Sequence, residues 1–250
     1  MLYLISLGLY EKEDMSLKAL ETARKCGKLY LEVYTNFFKD NAKELSKFIG
    51  KEVKELARED VENNVHKLLK EAEKTDIGIL VGGDCLSATT HSSLILDAKK
   101  QGIKVNIIHG SSIFTAVAET GLFLYSFGKT TSIPFDNDKV ETPYDVIKQN
   151  KELHTLCLLD LRPDAKKFMR TAESIRYLLG VEARRKEGIF TESTLCVVCA
   201  GLGSGKQVIK AGKAKDLLKE NFDIFPQCLI VPGKLHFMEE EMLATFFKNI

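Results

Sequence analysis

No run of about 18 apolar residues occurs anywhere in this 250-residue chain, so no stretch is long enough to cross a bilayer as a helix. The amino-terminal Met-Leu-Tyr-Leu-Ile-Ser-Leu lacks the basic flank and small-residue cleavage site of a secretory signal, and reads as a first strand. Charge of one sign is missing too: 36 basic residues stand against 35 acidic ones, and a net charge of +1 supplies no field to recruit nucleic acid or a membrane surface. The histidines, His66, His91, His109, His154 and His236, lie far apart with no ligand spacing. Cys196 and Cys199 form a Cys-x-x-Cys, but within a β-branched strand pattern that turns residues three apart to opposite faces, and no second pair completes a zinc site. The six cysteines, scattered through apolar runs, suggest reduced thiols of a cytoplasmic protein.

Familiar catalytic signatures are equally absent. The turn at Gly8 is not followed by the second and third glycines of a dinucleotide fingerprint. Gly201-Leu-Gly-Ser-Gly-Lys206 looks like a phosphate loop, but Gln207 stands where a magnesium-binding hydroxyl is required. No Gly-x-Ser-x-Gly elbow presents a serine nucleophile. Glu239-Glu240-Glu241 reads as helix-start charge.

What is present is a soluble globular composition, 44% hydrophobic and 28% charged, organised around residues 76–91. Ile77 to Val81 is an apolar run without alternation, as expected of a strand buried on both faces of a parallel sheet. Gly82-Gly83 stops it, and Asp84 follows at the carboxyl end of the strand, where open α/β sheets place ligands. Ser87, Thr89 and Thr90 are candidate caps for a helix over His91 to Lys100.

Around that stretch the first half alternates strands and helices. Strands are predicted at Leu2–Leu7, Lys28–Tyr34, Val53–Leu56 and Val105–His109. Helices are predicted after a Ser16 cap, with Leu17, Leu20 and Ala23 at helical spacing, and over 41–49, 62–72 and 114–120. This rhythm argues for a parallel-rich sheet. It loosens over 127–138, and the domain boundary is placed at 120/121, giving two α/β domains, 1–120 and 121–250. The second half predicts helices over 144–151, 171–185, 214–220 and 238–247, with strands at Thr155–Asp160, Leu195–Ala200 and Gln227–Val231.

Six segments together carry a family resemblance. They are residues 2–9 with 11–16, Leu31-Glu-Val-Tyr-Thr35, Gly83-Asp84 with Ala88-Thr-Thr-His91, and Ile108-His109 with Ser112-Ile113. Leu153-His-Thr-Leu156 with Leu159-Asp160 and Pro232-Gly-Lys-Leu-His236 complete the set. Each is weak alone, but in order they resemble the diphthine synthases, methyltransferases of diphthamide biosynthesis. The resemblance implies a two-domain tetrapyrrole-methylase-like fold, with a parallel-rich first sheet and a mixed second one. It implies S-adenosylmethionine bound in a cleft between the domains and a homodimer, and the lack of a zinc or magnesium ligand constellation adds the expectation that no metal is needed. It further implies repeated methylation of the amino group of a 3-carboxy-3-aminopropyl-histidine on translation elongation factor two. Matched position by position, the donor contacts fall on Leu9, Asp84, Ser87, Ser112, Ile113, Leu159, Leu202 and Gln227. Four residues depart from the family's pattern: Ser6 stands for glycine, Cys85 for proline, Gly201 for arginine and Gln227 for histidine.

Methyl transfer from a sulfonium donor suits a chain without an evident acid, base or nucleophile constellation. The donor already carries its leaving group, and alignment is the main task. No catalytic residue is assigned: His109 and His236 are candidate proton acceptors for the attacking amine, and solvent is the alternative. A tetrapyrrole methylase of the same fold and a non-catalytic module that binds the elongation factor are the alternatives.

Overall fold

The computed structural model describes residues 1–62, 64–163 and 165–247. The chain divides into two compact units: Met1–Ala116 with Pro163–Ala165, and Val117–Arg162 with Lys166–Ile250.

The first unit is a five-stranded, all-parallel sheet. Its strands are β1 (Leu2–Ser6), β2 (Lys28–Glu32), β3 (Val53–Leu56), β4 (Ile77–Val81) and β5 (Val105–Ile108), in the spatial order β3-β2-β4-β1-β5. The helices are α1 (Leu17–Lys25), α2 (Ala42–Ile49), α3 (Arg58–Glu62), α4 (Val65–Ala72), α5 (His91–Lys100) and α6 (Ile113–Ala116). Every residue of β4 is buried, because both faces of the sheet are covered. Ile77, Ile79 and Val81 pack on one side with Leu68, Leu69, Leu94 and Ala98. On the other side Leu80 joins Ile5, Leu7, Ala19, Ala23 and Leu45. The expected alternation of apolar runs and helical periodicity therefore produced the expected parallel sheet.

Local details differ from the sequence expectations. Ser16 does cap α1, its Oγ accepting from the Ala19 N–H at 3.1 Å. Leu17, however, is 78% exposed, and α1 buries Ala19 and Ala23 instead. The single helix expected over 62–72 is replaced by α3, which ends at Glu62, and α4, which starts at Val65; Asn63 lies outside the described residues. Residues 114–120 form the short α6 followed by a 3-10 turn, Val117–Thr120.

The second unit holds β6 (Thr131–Ile133), β7 (Thr155–Leu159), a two-stranded ribbon of β8 (Leu161–Arg162) and β9 (Lys167–Phe168), then β10 (Leu195–Ala200), β11 (Val208–Lys213) and β12 (Gln227–Val231). Its helices are α7 (Thr142–Asn150), α8 (Thr171–Arg185), α9 (Ala214–Leu217) and α10 (Phe237–Ala244). The main sheet runs β11-β10-β12-β7-β6, with only β6 and β7 parallel. One core fills the face beneath α7, α8 and α9, built on Tyr144, Ile175, Leu178, Val181, Phe190, Cys196 and Val198. Cys196 lies in that core, whereas Cys199 sits opposite Cys228 across the β10–β12 ladder, so the Cys-x-x-Cys pair does diverge. All six cysteines are buried free thiols. Among the described residues no helix is long and apolar enough to cross a membrane.

Candidate functional site

Strand order places the carboxyl ends of β4, β1 and β5 side by side. Chain direction reverses there, since β1 leads away to β2 while β4 leads across β1 to β5, and such switch points form the ligand crevice of open α/β sheets. After β1 the chain turns at Gly8, whose φ of +92° favours glycine and where a Cβ would lie 2.6 Å from the Asp14 carbonyl oxygen. Gly8 and Gly83 exchange backbone hydrogen bonds, the Gly83 N–H donating to Gly8 at 2.7 Å and the Gly8 N–H to Gly83 at 3.3 Å. Gly110, after β5, approaches so closely that an added Cβ would stand 2.8 Å from Ser6 Cβ. The Leu9 loop is pinned by Asp14, which accepts from the Tyr10 and Glu11 N–H groups at 2.7 and 3.1 Å.

Asp84 sits at the centre of these ends and is 8% exposed. One oxygen accepts from the Leu86 N–H at 3.0 Å and from the Ser87 hydroxyl at 3.4 Å. The other meets His109 Nδ1 at 2.8 Å and accepts from the Gly110 N–H at 3.2 Å. Burial works against ionisation here, but the hydrogen bonds from Leu86, His109 and Gly110 outweigh it and hold the carboxyl below its ordinary range. Asp84 is thus an ionised carboxylate with four internal contacts. The partnership with His109 was not readable from sequence, because 25 residues separate the two and the His109 side chain is 70% exposed.

Of the other matched positions in this unit, Ser87 turns toward Asp84, and Leu9 and Ile113 are half-buried beside the strand ends. Ser112 is buried, and its carbonyl accepts from the Thr115 and Ala116 N–H groups to start α6. The expected side-chain caps of α5 do not form. Ser87 serves Asp84, the Thr89 hydroxyl donates to the Cys85 carbonyl at 2.8 Å, and Thr90 precedes α5 with no side-chain cap.

In the second unit, Leu159, Leu202 and Gln227 gather at one end of the mixed sheet. Gln227 pairs with Ala200 and neighbours the end of β7. Leu159 and Leu202 are buried. The Gln227 side chain is fully engaged: Oε1 accepts from the Thr171 N–H at 2.9 Å, and Nε2 donates to the Phe222 and Ile224 carbonyls at 2.7 and 3.1 Å. Any ligand contact at this position is left to its backbone. His236 is a helix cap, its Nδ1 accepting from the Met238 N–H at 3.3 Å.

An ionised carboxylate among open strand ends suits a donor that carries positive charge on its sulfonium and amino groups. Asp84 would hold such a group, with Leu9, Ser112 and Ile113 around it. Among the described residues no group of three or more histidine, cysteine, aspartate or glutamate side chains is arranged to hold a metal.

Comparison with known proteins first defines the class. The family profile described as Tetrapyrrole (Corrin/Porphyrin) Methylases matches residues 1–218. More narrowly, the chain is 49% identical to the diphthine synthase of Methanocaldococcus jannaschii and 46% identical to that of Methanococcus vannielii, over the whole of each chain. A crystal structure of diphthine synthase superposes with a TM-score of 0.91 at 37% identity, covering 98% of this chain and 95% of that one. The chain belongs to the diphthine synthase family of methyltransferases, as the resemblance of its motifs implied.

Proposed function

We propose that this protein is an S-adenosylmethionine-dependent methyltransferase of diphthamide biosynthesis. In this reading it methylates, in repeated rounds, the amino group of a 3-carboxy-3-aminopropyl-histidine on translation elongation factor two. The observation that carries the reading is the end-to-end similarity to diphthine synthases at 44–49% identity. The donor supplies an electrophilic methyl carbon and its own leaving group. The chain's residues then align and shield: Asp84 offers fixed negative charge, and the backbone at Leu9, Ser112 and Ile113 borders the same strand ends. In the second unit, the buried Leu159 and Leu202 and the backbone of Gln227 are the proposed contacts.

The protein is proposed to act in the cytoplasm as a homodimer, with elongation factor two as its protein partner and without membrane or direct nucleic-acid contact. Mass spectrometry of elongation factor two carrying the precursor histidine, incubated with donor and protein, tests the activity. Successive gains of one methyl mass on that residue are expected. No gain on the factor, with methylation of a tetrapyrrole instead, overturns the reading. Calorimetric titration with S-adenosylmethionine should give the same affinity with and without chelator, and loss of binding on chelation would contradict the metal-free proposal.

A further inference from the structure

Cys85 follows Asp84, and its thiol lies in the core with Val81 and Leu94, where burial pushes it up from its ordinary range. Its backbone N–H and C=O have a different fate. The Cys85 N–H donates to Ser6 Oγ at 2.9 Å, from the last residue of β1. The Cys85 carbonyl accepts from the Thr89 hydroxyl at 2.8 Å and faces His91 Nδ1 at 3.0 Å. A carbonyl oxygen only accepts, so the Nδ1 of His91 carries a proton. Ser6 and His91 are fully buried, so water does not replace either bond.

The far side of His91 faces a buried carboxylate. Its Nε2 makes no hydrogen bond and lies 4.0 Å from Glu32 Oε2. Glu32, buried at the end of β2, accepts from the Tyr34 and Thr35 N–H groups at 2.5 and 2.6 Å and from the Thr35 hydroxyl. The backbone of one residue is therefore gripped on both sides, at its N–H and at its C=O, by side chains from the end of β1, the loop after β4 and the start of α5, with the β2 terminus behind them.

We infer that Ser6, Thr89 and His91 are positioning residues for methyl-donor binding: they clamp the Cys85 backbone and so fix the Asp84 carboxylate beside it. The two oxygens of Asp84 are supported separately. One takes its donors from Leu86 and Ser87, which move with the Cys85 backbone, and the other from His109 and Gly110 after β5. Loosening the clamp withdraws the first pair and leaves the second. The inference rests on the proposal that the Asp84 loop receives S-adenosylmethionine.

Titration of the full chain with S-adenosylmethionine tests it in Ser6→Ala and His91→Phe, which remove the acceptor and the donor with little change of volume. Each should weaken donor binding by roughly tenfold or more, the scale of a lost buried hydrogen bond. The KM for donor should rise while kcat at saturation changes by less than about threefold, since the bound state restores the alignment. His91→Asn, whose amide N–H can take the place of Nδ1–H, should recover most of the affinity. Wild-type affinity in both Ser6→Ala and His91→Phe would overturn the clamp, as would a fall in melting temperature alone. If the unaltered chain fails to bind the donor, the functional reading is what has failed. The clamp then stands or falls on amide exchange. The Cys85 N–H of the unaltered chain should exchange at least about a hundredfold more slowly than a solvated amide and faster in Ser6→Ala. Exchange at the solvated rate, or no change on substitution, overturns it even if His91→Phe does not fold.

Discussion

Two carboxylate–histidine pairs, one in each unit, have similar geometry and opposite surroundings. In the first unit Asp84 meets His109 at 2.8 Å, and the imidazole stands 70% in solvent. In the second, Glu239 meets His154 Nε2 at 3.0 Å, with the two side chains 1% and 0% exposed. Glu239 also accepts from the Phe123 and His236 N–H groups, both at 2.8 Å, while the Gly233 N–H donates to His154 Nδ1 at 3.0 Å. Burial opposes ionisation at both carboxyls, and in both the hydrogen bonds prevail and hold the group below its ordinary range. The difference is where the satisfied network ends. Around Glu239 every partner belongs to the protein, and the network ties α10 to the segments before β6 and β7. Around Asp84 the outer partner is a histidine ring in water, which can move aside. A similar pair thus serves as a bolt in one place and, in the proposed function, as the rim of the donor-binding loop in the other.

Removing Glu239 should give the largest effect. Glu239→Ala removes the acceptor of three hydrogen bonds, the one from the buried His154 ring among them, and at about 1.5–3 kcal/mol for a hydrogen bond to a charged group the combined loss should reach about 3–5 kcal/mol. Urea unfolding should show a loss of that order, and a loss below about 1 kcal/mol would mean the pair is not a structural bolt. Asp84→Asn should reverse the balance between stability and binding. Donor affinity should fall by roughly 1.5–3 kcal/mol, the value of a hydrogen bond to a charged group, with stability nearly unchanged. An unchanged affinity with a lowered melting temperature would make Asp84 a second bolt.

Glu182 shows whether the acid response needs a histidine at all. It accepts from the Tyr144 hydroxyl at 2.6 Å and from the N–H groups of Gly188, Ile189 and Phe190, and its carboxyl is lowered to about 2, chiefly by Tyr144. A depressed folded-state value stabilises the fold above the unfolded range near 4.5, and that contribution is lost as pH falls toward about 2. Glu182→Gln should therefore flatten the loss of stability between those limits in an acid titration followed by circular dichroism. An unaltered slope would show that the hydrogen bonds survive protonation. The smallest effect is expected at the rim: His109→Ala should keep turnover within roughly tenfold, because water can take the proton from the attacking amine. A loss beyond about a hundredfold, with folding and donor binding intact, would identify His109 as a protein base.

The second unit was harder to read than the first for the same reason that its pair is more deeply buried: more of it depends on distant partners. β1, β2, β4 and β5 were legible as mostly apolar stretches, because helices cover both faces of the sheet, whereas β3, Val-Lys-Glu-Leu, offers only its two end residues. In the mixed sheet β6 is three residues long and ends just before Pro134, and β11 reads Val-Ile-Lys-Ala-Gly-Lys, with no period strong enough to predict either strand. The helical spacing of Leu17, Leu20 and Ala23 announced α1, but did not show that Ala19 and Ala23 would be its buried residues and that Leu17 would face solvent. At the candidate site, Asp84 was legible from its position after a strand and two glycines. Its four donors were not, nor was the grip on Cys85, because no local pattern announces a bond between Ser6 and a residue 79 positions later.

By itself the sequence determined the alternation of strands and helices in the first half and the loop that ends β4. It also determined family membership, through the order of weak segments along the chain. These are properties of neighbouring residues: apolar period, glycine at a turn, a capping hydroxyl. Tertiary structure alone decided the order β3-β2-β4-β1-β5, and with it the meeting of Ser6, Asp84, His91 and His109 at one edge. Strand pairing is non-local, and any of several orders would bury the same apolar faces. Only the packed sheet selects the one that brings the ends of β4, β1 and β5 within hydrogen-bonding reach.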